Sequence, residues 1–255
     1  MKNRYRAILF DLSGVLYVDN TAIPGAADLI KELQSTDIKL RFVTNTSRKT
    51  RDQVLADLST LGYSIDPETL FTAPFAARAY VQQKQLRPWC LVHADIQSEF
   101  ADLDQDKPNA VILGDAADDL NYANLNQAFR LCMDGAALIG IGDNRYFRQD
   151  GKLCLDAGPF IHAIEFAARC EAVIMGKPSI DFFHQVLSTT AALPEDSLMI
   201  GDDVFGDIEG ALQAGMDACL VRTGKYQSGD ENKLSPACHC LDSVADLKQW
   251  LASIN

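Results

Sequence analysis

Short runs of apolar residues recur along the chain and alternate with segments of helical periodicity. The first run covers residues 7–10 and contains no polar position. Uninterrupted apolar runs of this length are typical of strands that are buried on both faces of a parallel sheet. The other runs assigned to the same sheet are residues 39–43, 172–175, 197–200 and 218–221.

Amphipathic segments between these runs predict helices. Pro24 opens a segment in which Leu29, Ile30 and Leu33 share one face, and a second helix is predicted to end at Gly62. Alternation of strands and helices predicts an α/β protein with a Rossmann-like open parallel sheet. In such sheets ligands bind beyond the carboxyl ends of the strands.

The middle of the chain predicts a second α/β unit. It has its own apolar runs at 91–92, 109–114 and 137–141, and Asp150-Gly151 lies between two short alternating segments as in a β-hairpin. We therefore interpret residues 86–171 as a large insertion. Residues 1–85 and 172–255 then form one discontinuous core domain.

The charge of the chain excludes several classes of partner. Its formal net charge is −12, whereas nucleic acids and anionic membranes bind basic surfaces. No apolar run reaches the length of a membrane span, and no signal-peptide core follows Met1. We expect a cytoplasmic protein that binds neither nucleic acid nor membrane. If it handles phosphate, it must do so with a metal ion or a few well-placed cations.

The seven cysteines are an odd number and are scattered through the chain. This distribution indicates reduced thiols rather than a disulfide framework. Cys238-His239-Cys240 lacks a second Cys/His pair nearby, so we interpret it as a surface loop and not as a metal site.

Polar residues follow four of the predicted core strands. The four sets are Asp11 with Ser13; Thr44 with Asn45; Lys177; and the acidic run Asp202, Asp203 and Asp207. If these strands are parallel neighbours, the four sets meet at one edge of the sheet. The sequence therefore predicts a single site there.

The residue types in this site suit phosphoryl transfer. An aspartate such as Asp11 can attack phosphorus and form an aspartyl-phosphate. Both reactants are anionic, so a hard cation such as Mg²⁺ is expected, with Asp11 and Asp202 as carboxylate ligands and Asp203 and Asp207 in support. Lys177 would stabilise the charge of the transition state.

Two further residues are predicted to bind the phosphate oxygens. The Thr44 hydroxyl and the main-chain amide of Asn45 are suitable donors for this purpose. Each motif taken alone is more commonly a cap or a turn, since Asp11, Thr44-Asn45 and the acidic run all suit such positions. Their joint occurrence at four strand ends favours the functional interpretation.

The order and spacing of four segments resemble the haloacid dehalogenase (HAD) superfamily, in its branch with a large C2-type cap inserted between the second and third motifs. The segments are Asp11-Leu12-Ser13-Gly14-Val15-Leu16, Val43-Thr44-Asn45, Gly176-Lys177-Pro178 and Gly201-Asp202-Asp203 through Asp207. The resemblance implies that Asp11 is the nucleophile and that Asp11, the main-chain carbonyl of Ser13 and Asp202 bind the metal. It also implies that Ser13, Thr44, Asn45 and Lys177 contact the substrate, and that the protein forms a homodimer through its cap.

Ser13 departs from the superfamily pattern, because typical phosphatases have a second aspartate there that protonates the leaving group. Loss of a general acid typically costs on the order of 10²–10⁴-fold in rate. A P–N substrate such as phosphohistidine or phospholysine can be protonated beforehand, and pyrophosphate has a better leaving group than an alkyl phosphate. We therefore expect a Mg²⁺-dependent phosphatase biased toward these substrates.

Other functions remain open from the sequence. Without the acid at residue 13, the protein could be a low-turnover regulatory protein that only binds phosphate. A phosphomonoesterase acting on a small metabolite is another alternative. A phosphotransferase is less favoured, because no site for a second acceptor can be identified.

Overall fold

The computed structural model describes residues 4–149, 152–234 and 238–254. Contacts between Cα atoms divide the chain into two units, residues 1–44, 52–71 and 177–255 in the first and residues 45–51 and 72–176 in the second. The predicted limits of the insertion, 86 and 171, lie inside the second unit. That unit also takes in a preceding helix and the short segment 45–51.

Fourteen strands are assigned within these described residues, and most are short. They are β1 (Ala7–Asp11), β2 (Tyr17–Val18), β3 (Thr21–Ala22), β4 (Lys39–Thr44), β5 (Leu70–Thr72), β6 (Pro88–Leu91), β7 (Ala110–Leu113), β8 (Ala137–Gly140), β9 (Tyr146–Gln149), β10 (Lys152–Leu155), β11 (Val173–Ile174), β12 (Ser197–Gly201), β13 (Asp217–Val221) and β14 (His239–Leu241).

The α-helices connect these strands. They are α1 (Ala26–Gln34), α2 (Arg51–Thr60), α3 (Ala73–Gln83), α4 (Tyr122–Met133), α5 (Ala157–Ala168), α6 (Ile180–Leu187), α7 (Gly210–Gln213) and α8 (Leu247–Ile254). No helix in the described part of the chain combines the length and apolar character needed to cross a membrane.

The first unit is built on a six-stranded sheet with the order β14-β13-β12-β1-β4-β5. The pairings of β1 with β12 and β4, and of β13 with β12 and β14, are all parallel. The chain passes from β1 to β4 on one side and returns to β12 on the other. The carboxyl end of β1 therefore lies at the switch point where open α/β sheets bind ligands.

An apolar core holds this sheet to its helices. Ile8 and Phe10 point from β1 into a buried cluster that includes Ile30 of α1 and Leu58 of α2. The rings of Phe10 and Phe42 stack with centroids 5.9 Å apart. The apolar stripes that predicted α1 and α2 are thus the faces that anchor β1, the strand that ends at Asp11.

The second unit has its own parallel sheet, with the order β11-β8-β7-β6. Its core is a separate cluster that includes Val111, Leu113, Leu138 and Ile161. The antiparallel pair β9 and β10 forms the predicted hairpin, although Asp150-Gly151 lies outside the described residues. The predicted α/β architecture with a second α/β unit is confirmed.

Two local predictions were wrong. Residues 172–175 were assigned to the core sheet, but Val173 and Ile174 pair with β8 in the second unit. A short β-branched run predicts a strand without indicating its partner. Cys238-His239-Cys240 was interpreted as a loop, yet residues 239–241 form the edge strand β14. The seven thiols are free, as predicted.

Candidate active site

The sheet register of the first unit brings the predicted site residues to one edge. Asp11 at the end of β1 is paired with Val43, which precedes Thr44, and Phe10 is paired with Ile200 of β12. Two residues beyond Ile200, the chain reaches Asp202. Asp11, Thr44 and Asp202 therefore lie at the same end of three neighbouring strands.

Three buried carboxylates meet at this edge. One oxygen from each of Asp11, Asp202 and Asp207 lies within 4.8 Å of the other two. Anions held this close and away from water repel one another strongly. A stable arrangement requires positive charge among them.

Lys177 supplies part of that charge. Its Nζ donates to Asp11 Oδ1 and to Asp207 Oδ1, both at 2.5 Å, and its side chain is buried. Burial lowers the pKa of Lys177, but the two carboxylates outweigh that effect and keep the pKa above its ordinary value. The lysine is therefore a fixed cation in contact with Asp11.

Burial also acts on the carboxylates themselves. It raises the pKa of Asp11 above its ordinary value, while the Lys177 ammonium acts in the opposite direction. Burial likewise raises the pKa of Asp202 to about 6, although the hydrogen bond from the Lys225 N–H acts in the opposite direction. A divalent cation between these groups would favour their ionised forms.

Asp202 has the hydrogen bonding expected of a metal ligand. Its Oδ2 accepts the N–H of Lys225 at 2.6 Å, whereas its Oδ1 is buried and has no hydrogen-bond partner among the described residues. Buried carboxylate oxygens are normally satisfied. An oxygen left over beside two other acidic groups fits a hard cation that takes oxygen ligands.

Two glycines leave room for the Asp202 carboxylate. Gly14 and Gly224 have φ values of +91° and +61°, and a Cβ at either would collide with the Asp202 side chain. The Thr223 hydroxyl also donates to the carbonyl of Gly14, which ties the two loops together. The loops after β1 and β13 thus enclose Asp202 from two sides.

Comparison with known proteins identifies the family. Residues 8–105 match the family model described as haloacid dehalogenase-like hydrolase, and residues 174–247 match a second HAD hydrolase-like model. The chain is 43% identical over 232 residues to haloacid dehalogenase-like hydrolase domain-containing protein 2 of Bos taurus, which covers 91% of this chain and 90% of the relative.

The chain belongs to the haloacid dehalogenase family of hydrolases.

A second group of relatives of this HAD-family chain carries a substrate in its name. The chain is 40% identical over 234 residues to the phospholysine phosphohistidine inorganic pyrophosphate phosphatase of Rattus norvegicus, with 89% of this chain and 86% of the relative covered. Among solved structures, a hypothetical protein from Pyrococcus horikoshii OT3 is similar at a TM-score of 0.84 and 28% identity. The match covers 96% of this chain and 99% of that one.

The fold is also that of a named phosphatase. A p-nitrophenyl phosphatase from Archaeoglobus fulgidus superposes with a TM-score of 0.84 at 22% identity, covering 96% of this chain and 99% of that one. At this level of identity the likeness concerns the fold alone. Together with the relatives named as phosphatases, the family match makes this chain a HAD-type hydrolase.

Asp203 and Asp207, the two aspartates predicted to support the metal site, have different contacts. Asp203 Oδ1 accepts the N–H groups of Phe205 and Gly206 at 3.1 and 2.9 Å, so it caps the π-helical turn Val204–Glu209. Asp207 lies within that turn and contacts Lys177. Asp203 therefore shapes the turn, and the turn directs Asp207 into the carboxylate cluster.

Ser13, Thr44 and Asn45 have less uniform positions. Ser13 is exposed in the loop after β1, and Thr44 is buried at the end of β4. Asn45 begins the segment 45–51, which belongs to the second unit. The predicted phosphate-binding pair thus spans the limit between the two units along the chain.

Sequence reasoning did not identify Gly224 and Lys225. Both follow β13, the strand next to β12, and Lys225 reaches Asp202 through its main-chain N–H. Their position after β13 could have indicated that they lie at the site, because the carboxyl ends of neighbouring parallel strands meet at the same edge of the sheet.

Proposed function

We propose that this HAD-family hydrolase is a Mg²⁺-dependent phosphatase that acts through an aspartyl-phosphate at Asp11 and favours phosphoramidates and pyrophosphate. The main support is the buried Asp11 carboxylate, which contacts Lys177 at 2.5 Å within a cluster of three acids. Such a carboxylate is fixed in place and desolvated, and it has a cation beside it.

The proposed reaction has two displacements. Asp11 attacks the phosphoryl group, an O–P bond forms, and the bond to the leaving group breaks. Water then attacks phosphorus, which releases phosphate and restores the Asp11 carboxylate. Lys177 would offset the charge on the phosphoryl oxygens in both steps, and Thr44 and Asn45 would donate hydrogen bonds to the same oxygens.

A divalent cation suits the remaining groups. Asp11, Asp202 and the main-chain carbonyl of Ser13 would hold it, with Asp203 and Asp207 in supporting positions. When bound, the cation would neutralise the repulsion between the carboxylate and the phosphate. The unpartnered Asp202 Oδ1 supports this assignment.

Ser13 is the basis for the proposed substrate bias. A serine hydroxyl is a poor acid at neutral pH, so the leaving group must depart without help from this residue. Imidazole and amine groups protonated before P–N cleavage meet this condition, and so does the phosphate that leaves pyrophosphate. The name of the relative at 40% identity contains the same three substrates.

Phosphate release from four substrates tests the proposal. Wild-type protein with Mg²⁺ should release phosphate from phosphohistidine, phospholysine and pyrophosphate, with Asp11→Asn as the blank. p-Nitrophenyl phosphate serves as a substrate with an activated leaving group. Inactivity on all four, with phosphate or a phosphate analogue still bound, would favour a low-turnover regulatory binding protein instead.

Ser13→Asp tests the leaving-group argument. The added carboxyl group should raise turnover of simple alkyl phosphates, relative to phosphohistidine, by at least about tenfold. An unchanged ratio between the two substrates would contradict this account. A wild-type preference for an alkyl phosphate would favour a small-metabolite phosphomonoesterase.

We also propose a homodimer formed through the second unit, on the basis of the family resemblance. That unit exposes several large apolar side chains, namely Tyr122, Met133, Leu153, Leu155 and Phe166. Sedimentation equilibrium of the wild type and of Phe166→Ser would test it. A monomeric wild type at micromolar concentration would contradict the proposal.

A further inference from the structure

Lys225 combines a fixed backbone with an exposed side chain at the edge of the carboxylate cluster. Its N–H donates to Asp202 Oδ2 at 2.6 Å, and the adjoining Thr223 and Gly224 pack against Gly14. Its side chain is 70% exposed, and its Nζ lies 3.2 Å from Asp203 Oδ2. The backbone therefore holds a cationic side chain beside the site while leaving its ammonium accessible.

The other lysine of the site cannot serve a second anionic group. Lys177 is buried and its Nζ already contacts both Asp11 and Asp207 at 2.5 Å. It is therefore committed to the attacking carboxylate and to Asp207. An anionic leaving group needs a cation that can still reach it from the solvent side.

Charge balance supports the same conclusion. In their ionised forms, which a bound cation would favour, Asp11, Asp202, Asp203 and Asp207 carry four negative charges, and the two lysines carry two positive charges. A bound divalent cation makes this group neutral overall. Without the Lys225 charge the site keeps a net negative charge, which would repel a leaving group that is itself a phosphate.

We propose that Lys225 is a specificity-determining residue that binds the departing phosphate of pyrophosphate and disfavours leaving groups that carry a positive charge. The inference rests on the proposed function and names which leaving groups its site prefers. The ammonium would exchange its contact with Asp203 for one with the leaving phosphate. No additional covalent step is required.

A structural role for the Lys225 side chain would give a different pattern. Exposed ion pairs such as that between Lys225 and Asp203 contribute little to stability. If the side chain acted only by holding Asp203 and the following turn, its removal would impair all substrates equally. Asp203→Asn would then reproduce the effect.

The test compares kcat and KM of the full-length protein with Mg²⁺ for pyrophosphate and phospholysine. Lys225→Met should lower kcat/KM for pyrophosphate by about tenfold or more, the usual weight of a charge-assisted contact, and leave phospholysine within about threefold. Lys225→Arg should restore most of the pyrophosphate activity. Lys225→Glu should shift the ratio further toward phospholysine.

Lys248→Met is the matched control. Lys248 is 65% exposed and forms an ion pair with Glu32 on the helices α8 and α1. Its removal should leave both substrates unchanged. Thermal unfolding of each variant checks that the fold is retained.

The outcomes separate the two proposals. Equal losses on both substrates, no loss on either, or a loss on pyrophosphate that Asp203→Asn reproduces would overturn the role of Lys225 while leaving the phosphatase proposal intact. A wild type that hydrolyses neither substrate would overturn the proposed function and this inference with it.

Discussion

Asp202 illustrates how single residues define the site. One of its oxygens is fixed by a main-chain N–H, and the other is buried beside Asp11 and Asp207 without a hydrogen-bond partner among the described residues. The glycines at 14 and 224 allow this position because they lack a Cβ. The electrostatics of the site therefore depend on residues that carry no charge.

Gly224→Ala should lower the activity as well as the stability of the protein. An alanine in a left-handed conformation costs about 1–2 kcal/mol wherever it occurs. At Gly224 its Cβ would also collide with the Asp202 carboxylate, so Mg²⁺-dependent activity should fall by at least about tenfold. Phosphate release and urea unfolding measure the two effects.

Gly62→Ala is the control for this substitution. Gly62 also has a positive φ, +90°, but a Cβ there would meet nothing within 4 Å. It should show a similar backbone cost with unchanged activity. Equal activity in the two variants would contradict the proposed crowding at Asp202.

His162 gives a prediction for pH dependence. Its Nδ1 lies 2.7 Å from Glu165 and its Nε2 lies 2.9 Å from Asp143, and together they raise the pKa of His162 above its ordinary value. A raised folded-state pKa adds stability below the unfolded pKa of about 6.5, and this is lost as pH rises through the folded value. His162→Gln should thus cost under about 1 kcal/mol near pH 5.5 and nothing near pH 8.5.

An NMR titration of His162 measures this directly. The wild-type ring should titrate above about pH 6.5, and Glu165→Gln should bring its pKa down. A wild-type pKa at or below the ordinary value, or no response to Glu165→Gln, would refute the interpretation.

Residue types and their positions at strand ends together were enough to predict part of the candidate site. Asp11, Lys177 and Asp202 were predicted because carboxylates and a lysine that occur together at strand ends suit phosphoryl transfer. The structure brings these three residues together. Lys225 could not be predicted in this way. Its contact with Asp202 uses the main chain, which every residue type has.

At the scale of elements, the segment after β12 is not a regular α-helix. The apolar residues Ile208, Ala211 and Leu212 have helical spacing, but Val204–Glu209 form a π-helical turn before α7. A π-turn has a wider hydrogen-bond spacing than an α-helix and is often found at functional sites. Apolar periodicity does not distinguish the two, although the difference determines where Asp207 points.

The segment 45–51 is tied to the second unit by an ion pair. Arg48 Nε donates to Asp115, whose side chain is only 6% exposed, and the Arg48 guanidinium lies over the ring of Phe147. Arg48→Met would leave a buried carboxylate without this partner. The free energy of unfolding should fall by about 1–3 kcal/mol.

Arg222→Met provides the comparison for that measurement. Arg222 pairs with Asp242, whose side chain is 81% exposed, so the loss should stay below about 1 kcal/mol. Denaturant unfolding of both variants would test the difference. Equal losses of unfolding free energy in the two variants would mean that the burial of Asp115 does not make its ion pair more stabilising.

At the scale of the whole molecule, the order of strands and helices was sufficient to predict the fold class. Short, mainly apolar runs predicted β1, β12 and β13, because such runs are typical of strands buried on both faces of a parallel sheet. The strand β4 was predicted from a run that Lys39 and Arg41 interrupt. The short strand β11 was assigned to the wrong sheet. A strand of two residues has too short a sequence pattern to indicate which sheet it joins.

The net charge of −12 is consistent with a site that handles phosphate through local cations. Lys177 is enclosed by carboxylates and Lys225 lies at their edge. An acidic surface would not attract an anionic substrate over long distances. Under the proposed mechanism, substrate binding would depend on these two lysines and a metal ion, and it should weaken sharply when the metal is chelated.

Covalent labelling shows whether Asp11 is phosphorylated during turnover. Wild-type protein would be mixed with radiolabelled substrate and Mg²⁺, quenched in acid during turnover, and digested for peptide mapping. We expect an acid-stable, base-labile phosphoryl group on the peptide that contains Asp11, absent with chelator and in Asp11→Asn. Substrate turnover without label on that peptide, or label on another residue, would contradict the proposed mechanism.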